Sequence, residues 1–421
     1  MKKRFYFVLA GYFRLWARVQ LRRWKPRIFV ITGSSGKTTT LHLVEAQLGA
    51  KARYSHHANS AYGVCFDILG LARKRFAKSE WIGLICSAPF KAFKKPFPQN
   101  IYIVEVDCDR PQEGEFLASL LRPNGVVWLS STQTHAMNFD KLVTSGQFDT
   151  VESAIAHEYG YLVEAASDFV VVNIGNPGIT EQLDRTQTDV FKLSEQAIVG
   201  YEPTLHETSF QFDQQPGLPR HVSVPELVPQ EIGLSILATA ILTTKLTIQF
   251  DKSFRDFVLP PGRSSVFEGI KHTTLIDSTY NASLDAAEAM LSMYAKLSVK
   301  TKWLVVSDIL EQGANEQQVH EQLAAAIVAV KADKIVIMGP RTKKFTSPAL
   351  DGLGIKHVSL ESPRQVLDLL LQDIRGNETI LFKGTRFMEG VIEHLLANSA
   401  DADKLCRRET IWEKRRRAWG L

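Results

Sequence analysis

The spacing of apolar residues alternates between two periods along this chain, and the alternation predicts strands that are separated by helices. Residues 28–31 form a short apolar run that is typical of a buried strand, and residues 39–48 carry apolar side chains at helical spacing. Further strands are predicted from the apolar runs at 101–106, 126–130 and 170–173. Strands that alternate with helices favour a parallel sheet covered on both faces, so the pattern predicts an α/β fold.

A second alternating region begins near residue 258. Residues 259–263, LPPGR, combine two prolines with a glycine, which is typical of a hinge or a domain entry. After it, apolar strands at 274–276, 303–306, 334–338 and 379–382 alternate with helical patterns at 284–296 and 318–330. We therefore predict a smaller, Rossmann-like second domain. The predicted segments are a basic amphipathic helix at 1–26, a central domain at 27–257, the second domain at 258–400 and a basic tail at 401–421.

The first predicted helix mixes basic and apolar side chains. Arg14, Arg18 and Arg22 recur every four residues, which places them on one helical face. The apolar run at 5–13 is too short to span a bilayer, and no small-residue cleavage site of a secretory signal follows it. One interpretation is a helix that lies on an anionic membrane surface or docks on a partner. The other is a helix that packs on its own domain and exposes a solvated basic face.

Composition and charge narrow the class of protein. The 421 residues are 45% hydrophobic and 23% charged, which describes a globular chain with two or three cores. The four cysteines are scattered without a C-x-x-C pair, a pattern that suggests neither a zinc cage nor a disulfide framework and fits a cytoplasmic setting. No Asp or Glu precedes Glu45, whereas ten Lys or Arg do, and residues 406–421 are again basic and contain Trp412 and Trp419. Nucleic acid is not an expected partner, because no RNA- or DNA-binding module accompanies these charges.

The main chemical signal lies between the first strand and the helix that follows it, where residues 33–39 read GSSGKTT. Gly33 and Gly36 allow backbone N–H groups to converge on an anion, and the helix N-terminus adds partial positive charge. A strand, a glycine turn and a helix in this order predict a phosphate-binding loop for ATP, in which Lys37 lies along the phosphates and Thr38 reaches Mg²⁺. The residues assigned to this loop are Gly33, Ser34, Ser35, Gly36, Lys37, Thr38 and Thr39.

Two more polar residues follow the ends of predicted strands. Glu105 lies near the end of the strand at 101–106, and His135 follows the strand at 126–130. Ligands of parallel α/β sheets bind at the carboxyl ends of the strands, so both side chains are expected to reach the same phosphates and metal as Lys37. The alternative is that each is an ordinary hydrogen-bonded polar residue.

The loop spacing G-x-x-G-K-T-T is shorter than the usual G-x-x-x-x-G-K-[ST] and resembles the Mur ligase family, which makes peptide-like bonds with ATP. Further stretches are similar to the MurF-type branch, which joins D-alanyl-D-alanine to a UDP-linked muramyl peptide. They are HHANSAYGV at 56–64, the block at 105–135, VVNIGNP from 171, GRSSVFEGIKHTTLIDSTYNAS from 262, VVSDILEQG at 305–313 and LFKGTRFME at 381–389. The similarity runs from about residue 27 to residue 395, with the motifs in the same order.

The resemblance implies a reaction and a set of residues. ATP phosphorylates a carboxylate to an acyl phosphate, and an amine then displaces phosphate. Lys37 and Mg²⁺ neutralise the transferring phosphoryl group, Thr38 and Glu105 hold one Mg²⁺, and His135 helps to hold a second. Arg263 reaches the phosphates when the domains close. The expected catalytic residues are Lys37, Glu105, His135 and Arg263. The residues expected to contact ribose or adenine are Asp277, Tyr280 and Asn281. Two further basic residues, Lys383 and Arg386, either face a substrate carboxylate or are solvated loop charges.

The chain also departs from the family's pattern. The family's carbamylated lysine, a metal ligand, should fall within 152–165, where the chain has Glu158 or Tyr159, and we predict that Glu158 replaces it as a carboxylate ligand. Only 32 residues precede Gly33, so we expect no counterpart of the family's uridine-binding domain, and we expect a membrane-linked or otherwise unusual acceptor. Residues 229–235, PQEIGLS, lack the His and Asn of a nucleotide-binding segment. The remaining departures are Ser278, Ser283 and Leu284.

The predicted function is an ATP-dependent ligase of cell-wall peptide synthesis that acts on a peptide carboxylate and an amine such as D-Ala-D-Ala. It is expected in the cytoplasm, with a peripheral contact to the inner face of the membrane through the basic aromatic tails at 1–26 and 401–421. One alternative is a degenerate nucleotide-binding scaffold at the membrane. Another is a ligase that acts on an acceptor without UDP.

Overall fold

The computed structural model describes residues 2–56, 58–73, 80–133, 136–214, 217–385 and 387–421, with the backbone alone at 2–5. The strands are β1 (Arg27–Thr32), β2 (Ala52–Tyr54), β3 (Ile101–Val106), β4 (Gly125–Trp128), β5 (Phe169–Asn173), β6 (Asp189–Leu193), β7 (Ile198–Pro203), β8 (Thr208–Phe212), β9 (His221–Val224), β10 (Ser265–Glu268), β11 (Thr274–Ser278), β12 (Lys302–Ser307), β13 (Lys334–Met338), β14 (Val358–Leu360) and β15 (Thr379–Lys383).

Helices alternate with these strands. They are α1 (Lys2–Trp24), α2 (Lys37–Leu48), α3 (Ala61–Leu69), α4 (Glu80–Ala92), α5 (Glu113–Leu121), α6 (Asp140–Thr144), α7 (Val151–Glu164), α8 (Pro177–Thr180), α9 (Ile232–Lys245), α10 (Leu284–Lys296), α11 (Glu316–Val330), α12 (Ser347–Gly352), α13 (Pro363–Asp373), α14 (Met388–Leu395) and α15 (Thr410–Ala418).

The chain divides into two compact units. The first contains Met1–Ala197, Gln215–Leu218 and Leu234–Asp251, and the second contains Ile198–Gln214, Pro219–Gly233 and Lys252–Leu421. This division places the small sheet of β7, β8 and β9 in the second unit, where Leu227 joins the buried core beside Ile276. The predicted domain boundaries at 27, 258 and 400 stay a prediction.

The first unit is built on a six-stranded parallel sheet in the order β2-β3-β1-β4-β5-β6. β1 lies between β3 and β4, with Ile31 level with Glu105 on one side and with Val127 on the other. The carboxyl ends of these three strands therefore meet at one edge of the sheet. The predicted parallel α/β architecture is confirmed, and it places the glycine turn after β1 beside Glu105.

The second unit contains a six-stranded sheet in the order β10-β11-β15-β12-β13-β14. β10 pairs antiparallel with β11, and the other pairs are parallel. The buried side chains Leu304, Ile337 and Leu381 line one of its two helix-covered faces. The predicted second α/β domain is confirmed, whereas the antiparallel edge strand β10 and the three-stranded antiparallel sheet were not predicted.

The N-terminal helix packs on its own unit, as the second of the two interpretations has it. α1 buries one face against α3 and α4, and this face contains Ala10, Phe13, Ala17, Leu21 and Trp24. Part of its basic face is also in contact with protein, because Arg14 donates to the Ser119 hydroxyl and Arg18 to the Ser119 carbonyl. Over the described residues, no helix has the length and apolar character needed to cross a membrane.

The basic C-terminal segment is held on the second unit by ion pairs. Arg416 on α15 is buried and lies 3.8 Å from Glu389 and 3.7 Å from Glu393. Arg407 lies 3.4 Å from Glu389, which is also buried. Arg408 lies 2.8 Å from Glu393, so four arginine–glutamate contacts among the described residues anchor this segment against α14.

Candidate nucleotide site

The turn between β1 and α2 has the backbone geometry of an anion-binding loop. Gly33 has φ of +128°, and a Cβ atom there would lie 2.7 Å from the carbonyl oxygen of Ser130. Gly36 has φ of +74° and is the N-cap of α2, with no other atom within 4 Å of an added Cβ. Glycine is favoured in both conformations, and the first turn of a helix offers backbone N–H groups to an anion.

The segment that follows β4 holds this turn in place. The Ser130 hydroxyl accepts a hydrogen bond from Ser35 N and donates to Ser35 O, both at 2.9 Å. The Ser34 hydroxyl makes the same kind of pair with the backbone of Thr132, accepting from its N–H and donating to its carbonyl. The turn is therefore fixed by residues 95–98 positions away in sequence.

Lys37 lies in this turn and carries a buried charge. Its Nζ is 2.9 Å from Asp107 Oδ2 and also donates to the carbonyl of Gly33. Burial alone lowers the pKa of Lys37, but the carboxylates of Asp107 and Glu105 outweigh it, so the pKa is raised. The ammonium is therefore charged at the position where a phosphate group would approach.

Asp107 is held on its other side by a tyrosine. The Tyr159 hydroxyl on α7 lies 2.8 Å from Asp107 Oδ1 and 3.1 Å from the Gly33 carbonyl. Tyr159 is fully buried, and burial raises its pKa well above the ordinary range, so the hydroxyl stays a donor. Asp107 was not predicted as a site residue, and Tyr159 was named only as the alternative to Glu158 at the position of the family's carbamylated lysine. The position of Asp107, two residues after Glu105 at the end of the same strand, is the signal that could have identified it.

Glu105 is buried at the end of β3, where neighbouring segments orient it. Its carboxylate accepts a hydrogen bond from Asn59 Nδ2 at 3.3 Å, and its backbone N–H donates to the Ser55 hydroxyl at 2.8 Å. Thr38 is half-buried in the first turn of α2. His135 lies outside the described residues, so its predicted role stays a prediction.

Glu158 lies one residue before Tyr159 and faces a different element. Its two carboxylate oxygens accept backbone hydrogen bonds from Gln112 and Gly114, at 2.7 and 2.9 Å, at the start of α5. Burial raises the pKa of Glu158, and these two hydrogen bonds act against that rise. The Glu158 carboxylate therefore accepts hydrogen bonds at the N-terminus of α5. Of the two neighbouring residues, Tyr159 is the one whose side chain contacts the glycine turn. A metal-ligand role for Glu158 stays a prediction.

The predicted residues of the second unit gather near the end of β11. Asp277 is fully buried, and its Oδ1 accepts hydrogen bonds from the backbone and the hydroxyl of Thr279. Its Oδ2 has no hydrogen-bond partner among the described residues, and burial raises its pKa to about 6. The Arg263 guanidinium lies 4.6 Å from the centre of the Tyr280 ring. Asn281 Oδ1 accepts from the backbone of Ala282.

Lys383 lies at the end of β15, level with Ser278 of β11. Its Nζ donates to the carbonyl of Asn281 at 2.8 Å. Burial, together with the nearby charge of Arg263, lowers its pKa to about 7. Lys383 therefore joins the same group of predicted residues as a lysine that is half-neutral near pH 7. Arg386 lies outside the described residues.

The residues of the first unit fit a nucleoside triphosphate with Mg²⁺. The glycine turn leaves space at Gly36, Lys37 supplies a fixed positive charge, and Glu105 supplies carboxylate oxygen of the kind that Mg²⁺ prefers. The buried hydroxyls of Ser131 and Thr132 have no hydrogen-bond partner among the described residues, and the backbone of Thr132 touches the turn. A bound polar ligand would supply the partners that these hydroxyls lack.

Solved structures with the same architecture identify the fold. The structure of the MurF ligase from Thermotoga maritima in complex with ADP superposes with a TM-score of 0.73 at 19% identity, over 94% of this chain and 84% of that one. The chain has the Mur ligase fold. Residues 262–386 match the family described as Mur ligase, glutamate ligase domain, and so place a Mur ligase C-terminal domain in the second unit.

Curated relatives extend the Mur ligase similarity over most of the sequence. A protein of Escherichia coli (strain K12) named UDP-N-acetylmuramoyl-tripeptide--D-alanyl-D-alanine ligase is 23% identical over 407 residues, which are 92% of this chain and 80% of that protein. A protein of the same name from Mycobacterium leprae (strain TN) is 22% identical over 396 residues, or 85% and 71% of the two chains. The predicted resemblance to the MurF-type Mur ligases is confirmed.

Proposed function

We propose that this chain is an ATP-dependent ligase that forms an amide bond between a peptide carboxylate and an amine in cell-wall peptide synthesis. The observation that carries the proposal is the glycine turn after β1, with the charged Lys37 inside it and Glu105 beside it. Bound ATP supplies the phosphoryl group that converts a carboxylate into an acyl phosphate, from which an amine releases phosphate. The relatives' name suggests D-Ala-D-Ala as the amine to test first.

The chain's own residues supply charge and position. Lys37 would move its ammonium from Asp107 to the phosphates, and Asp107 would stay in place because Tyr159 holds its other oxygen. Thr38 and Glu105 would hold Mg²⁺. The proposed catalytic set remains Lys37, Glu105, His135 and Arg263, and the proposed nucleoside contacts remain Asp277, Tyr280 and Asn281.

Phosphate release from ATP tests this function when it is measured with carboxylate and amine substrates together and separately. We expect release that requires both substrates and that falls about a hundredfold to a thousandfold in Lys37→Ala. Lys51→Ala, which removes an exposed lysine just after α2, is the matched control and should leave the rate unchanged. A chain that binds ATP but yields no amide product with any acceptor would favour the alternative of a nucleotide-binding scaffold.

We also propose that the first unit makes a peripheral contact with an anionic membrane at the inner face of the cytoplasmic membrane. The contact uses the outward faces of α1 and α4, which we call the α1–α4 face. Five large apolar side chains on it are 57–77% exposed, namely Val8, Leu15, Ile82, Phe90 and Phe93. Exposed apolar side chains grouped in this way mark an interaction site.

The two helices adjoin, so these side chains belong to one surface. The Tyr12 hydroxyl on α1 donates to the Ile85 carbonyl on α4, and the ring centroids of Trp16 and Phe93 are 6.4 Å apart. Val8 and Leu15 are seven residues apart and share a face of α1, opposite the buried Phe13. Most aromatic side chains of α1 pack inward, so the exposed apolar residues come mainly from α4 and the segment that follows it.

Charge on the same surface fits an anionic lipid headgroup layer. α1 has no acidic residue and ends near the exposed Arg22 and Arg23, and the exposed Lys94 and Lys95 follow α4. The Arg23 guanidinium donates to the backbone carbonyl of Lys94, so the two residues are adjacent. Basic residues beside exposed apolar ones are the combination that binds a membrane surface, where each basic residue contributes about 1 kcal/mol.

Co-sedimentation with lipid vesicles tests the membrane contact. The chain should bind vesicles that contain phosphatidylglycerol and bind phosphatidylcholine vesicles weakly. Phe90→Ser with Phe93→Ser should lower binding at least about tenfold, since burying a Phe side chain contributes about 1.5–3 kcal/mol. Val258→Ser, at another exposed apolar position, is the control. Equal binding by the double variant would contradict the α1–α4 face without affecting the ligase proposal.

A further inference from the structure

Two histidines and a glutamate of the first unit converge away from the glycine turn. His42 and Glu45 are three residues apart on α2, so their side chains leave the same face of the helix. His56 follows β2, and its Nε2 lies 3.1 Å from Glu45 Oε1. The ring centroids of His42 and His56 are 5.1 Å apart. One ligand atom from each of the three residues lies within 4.8 Å of those of the other two.

We propose that His42, Glu45 and His56, which we call the His–Glu cluster, bind one divalent transition cation of the Zn²⁺ class. Two imidazole nitrogens and one carboxylate oxygen form a donor set that suits Zn²⁺, with water in the fourth position. Mg²⁺ prefers oxygen ligands, so this site differs in chemistry from the one expected at Glu105. The proposal does not depend on the ligase function.

The geometry requires only side-chain movement to reach coordination distances. Zn²⁺ binds nitrogen and oxygen at about 2.0–2.2 Å, so neighbouring ligand atoms in a tetrahedral site lie about 3.4 Å apart. The pair of His56 and Glu45 is already at 3.1 Å, and the widest separation allowed within the cluster is 4.8 Å. The side chains of His56 and Glu45 are 33% and 36% exposed, so a hydrated cation can reach them from solvent.

A cation here would join α2 to the segment that orients Glu105. His56 lies between Ser55, whose hydroxyl accepts from the Glu105 backbone, and Asn59, whose side chain donates to the Glu105 carboxylate. The cation would tie this segment to the helix that begins in the glycine turn. The His–Glu cluster is therefore proposed as a positioning element for this part of the first unit.

Calorimetric titration of the metal-free full chain with Zn²⁺, in the absence of nucleotide, tests the cluster. We expect one Zn²⁺ per chain, and binding that weakens at least about tenfold in His42→Ala and in His56→Ala. Glu45→Gln should weaken it as well, because the amide oxygen carries no charge. His206→Ala, which removes an exposed histidine of the second unit, is the control and should bind as the unaltered chain does.

Two results would overturn the proposal. One is the absence of saturable Zn²⁺ binding. The other is unchanged binding in the double variant His42→Ala/His56→Ala with the circular dichroism of the unaltered chain. If these variants do not fold, the visible absorption of Co²⁺ bound to the unaltered chain replaces them. A tetrahedral spectrum supports the proposal, and the spectrum of the hydrated ion contradicts it.

Discussion

Asp277→Asn is expected to stabilise the second unit at neutral pH while it weakens nucleotide binding. Asp277 is fully buried, and burial is the main reason that its pKa is raised to about 6. Its Oδ1 accepts two hydrogen bonds from Thr279, and an asparagine oxygen can accept both. The substitution therefore keeps the local hydrogen bonds and removes the cost of burying a charge.

The size and the sign of the effect follow from the pKa. The carboxyl titrates near its ordinary value of 3.8 in the unfolded chain and at about 6 in the folded chain. Between these values the folded chain holds a proton that the unfolded chain has lost, so its free energy of unfolding falls as the pH rises. The difference corresponds to about 3 kcal/mol. The advantage of Asp277→Asn should grow from near zero at about pH 4 to about 3 kcal/mol at pH 7.

Urea denaturation of the variant and the unaltered chain at several pH values between about 4 and 8 measures this advantage. Asp256→Asn, at an exposed position of the second unit, is the matched control and should show no such trend. An advantage of Asp277→Asn that is the same at every pH, or a loss of stability at pH 7, would refute the reasoning. ATP affinity should fall at the same time, because Asp277 is one of the proposed nucleoside contacts and the substitution replaces a carboxylate oxygen with an amide NH₂ group.

Three further substitutions test the hydrogen bonds and backbone of the two sites. Tyr159→Phe removes a hydrogen bond to a carboxylate, so it should lower the free energy of unfolding by about 1.5–3 kcal/mol and raise the KM for ATP. The control Tyr161→Phe, on the same helix, should change neither quantity. Equal effects of the two substitutions would contradict the role of the Tyr159 hydroxyl. Lys383→Met should stabilise the chain below about pH 7, and this gain in stability should shrink as the pH rises towards 10. The reason is that the lysine loses its proton near pH 7 in the folded chain and near pH 10.5 in the unfolded chain. Urea denaturation measures the gain, and a gain that is constant with pH would contradict this explanation. Gly33→Ala should lower ATP affinity at least about tenfold in a calorimetric titration, since its φ and the contact with Ser130 both oppose a Cβ, and unchanged affinity would count against the loop.

The sequence predicted the parts of the molecule that depend on local signals. Residues 28–31 and 101–106 are continuous apolar runs, and both are central strands because a parallel sheet is buried on its two faces. The glycine turn was also predictable, since a strand, two glycines and a helix are adjacent in sequence. The proximity of the glycine turn to Glu105 was then predictable as well, because the carboxyl ends of parallel strands lie at one edge of their sheet.

The parts that were missed depend on contacts between distant residues. Tyr159 meets Asp107 across 52 positions, and no local pattern distinguishes a tyrosine that faces the site from Glu158, which faces α5. The three-stranded sheet of β7, β8 and β9 has short strands. Buried side chains alternate with less buried ones on β8 and β9, and β7 is mostly half-buried or exposed, so both patterns are weaker signals than a continuous apolar run. The packing of α1 depends on which of its aromatic residues meet α3 and α4, and a mixed apolar and basic helix leaves that open.

The binding of ATP with Mg²⁺ to the purified full chain is the most direct test of the central claim, which is that the glycine turn after β1 holds a triphosphate. Calorimetric titration should give one ATP per chain, with affinity that requires Mg²⁺ and that is lost in Lys37→Ala but kept in Lys51→Ala. No affinity for ATP in the unaltered chain, or equal affinity in Lys37→Ala, would contradict the account.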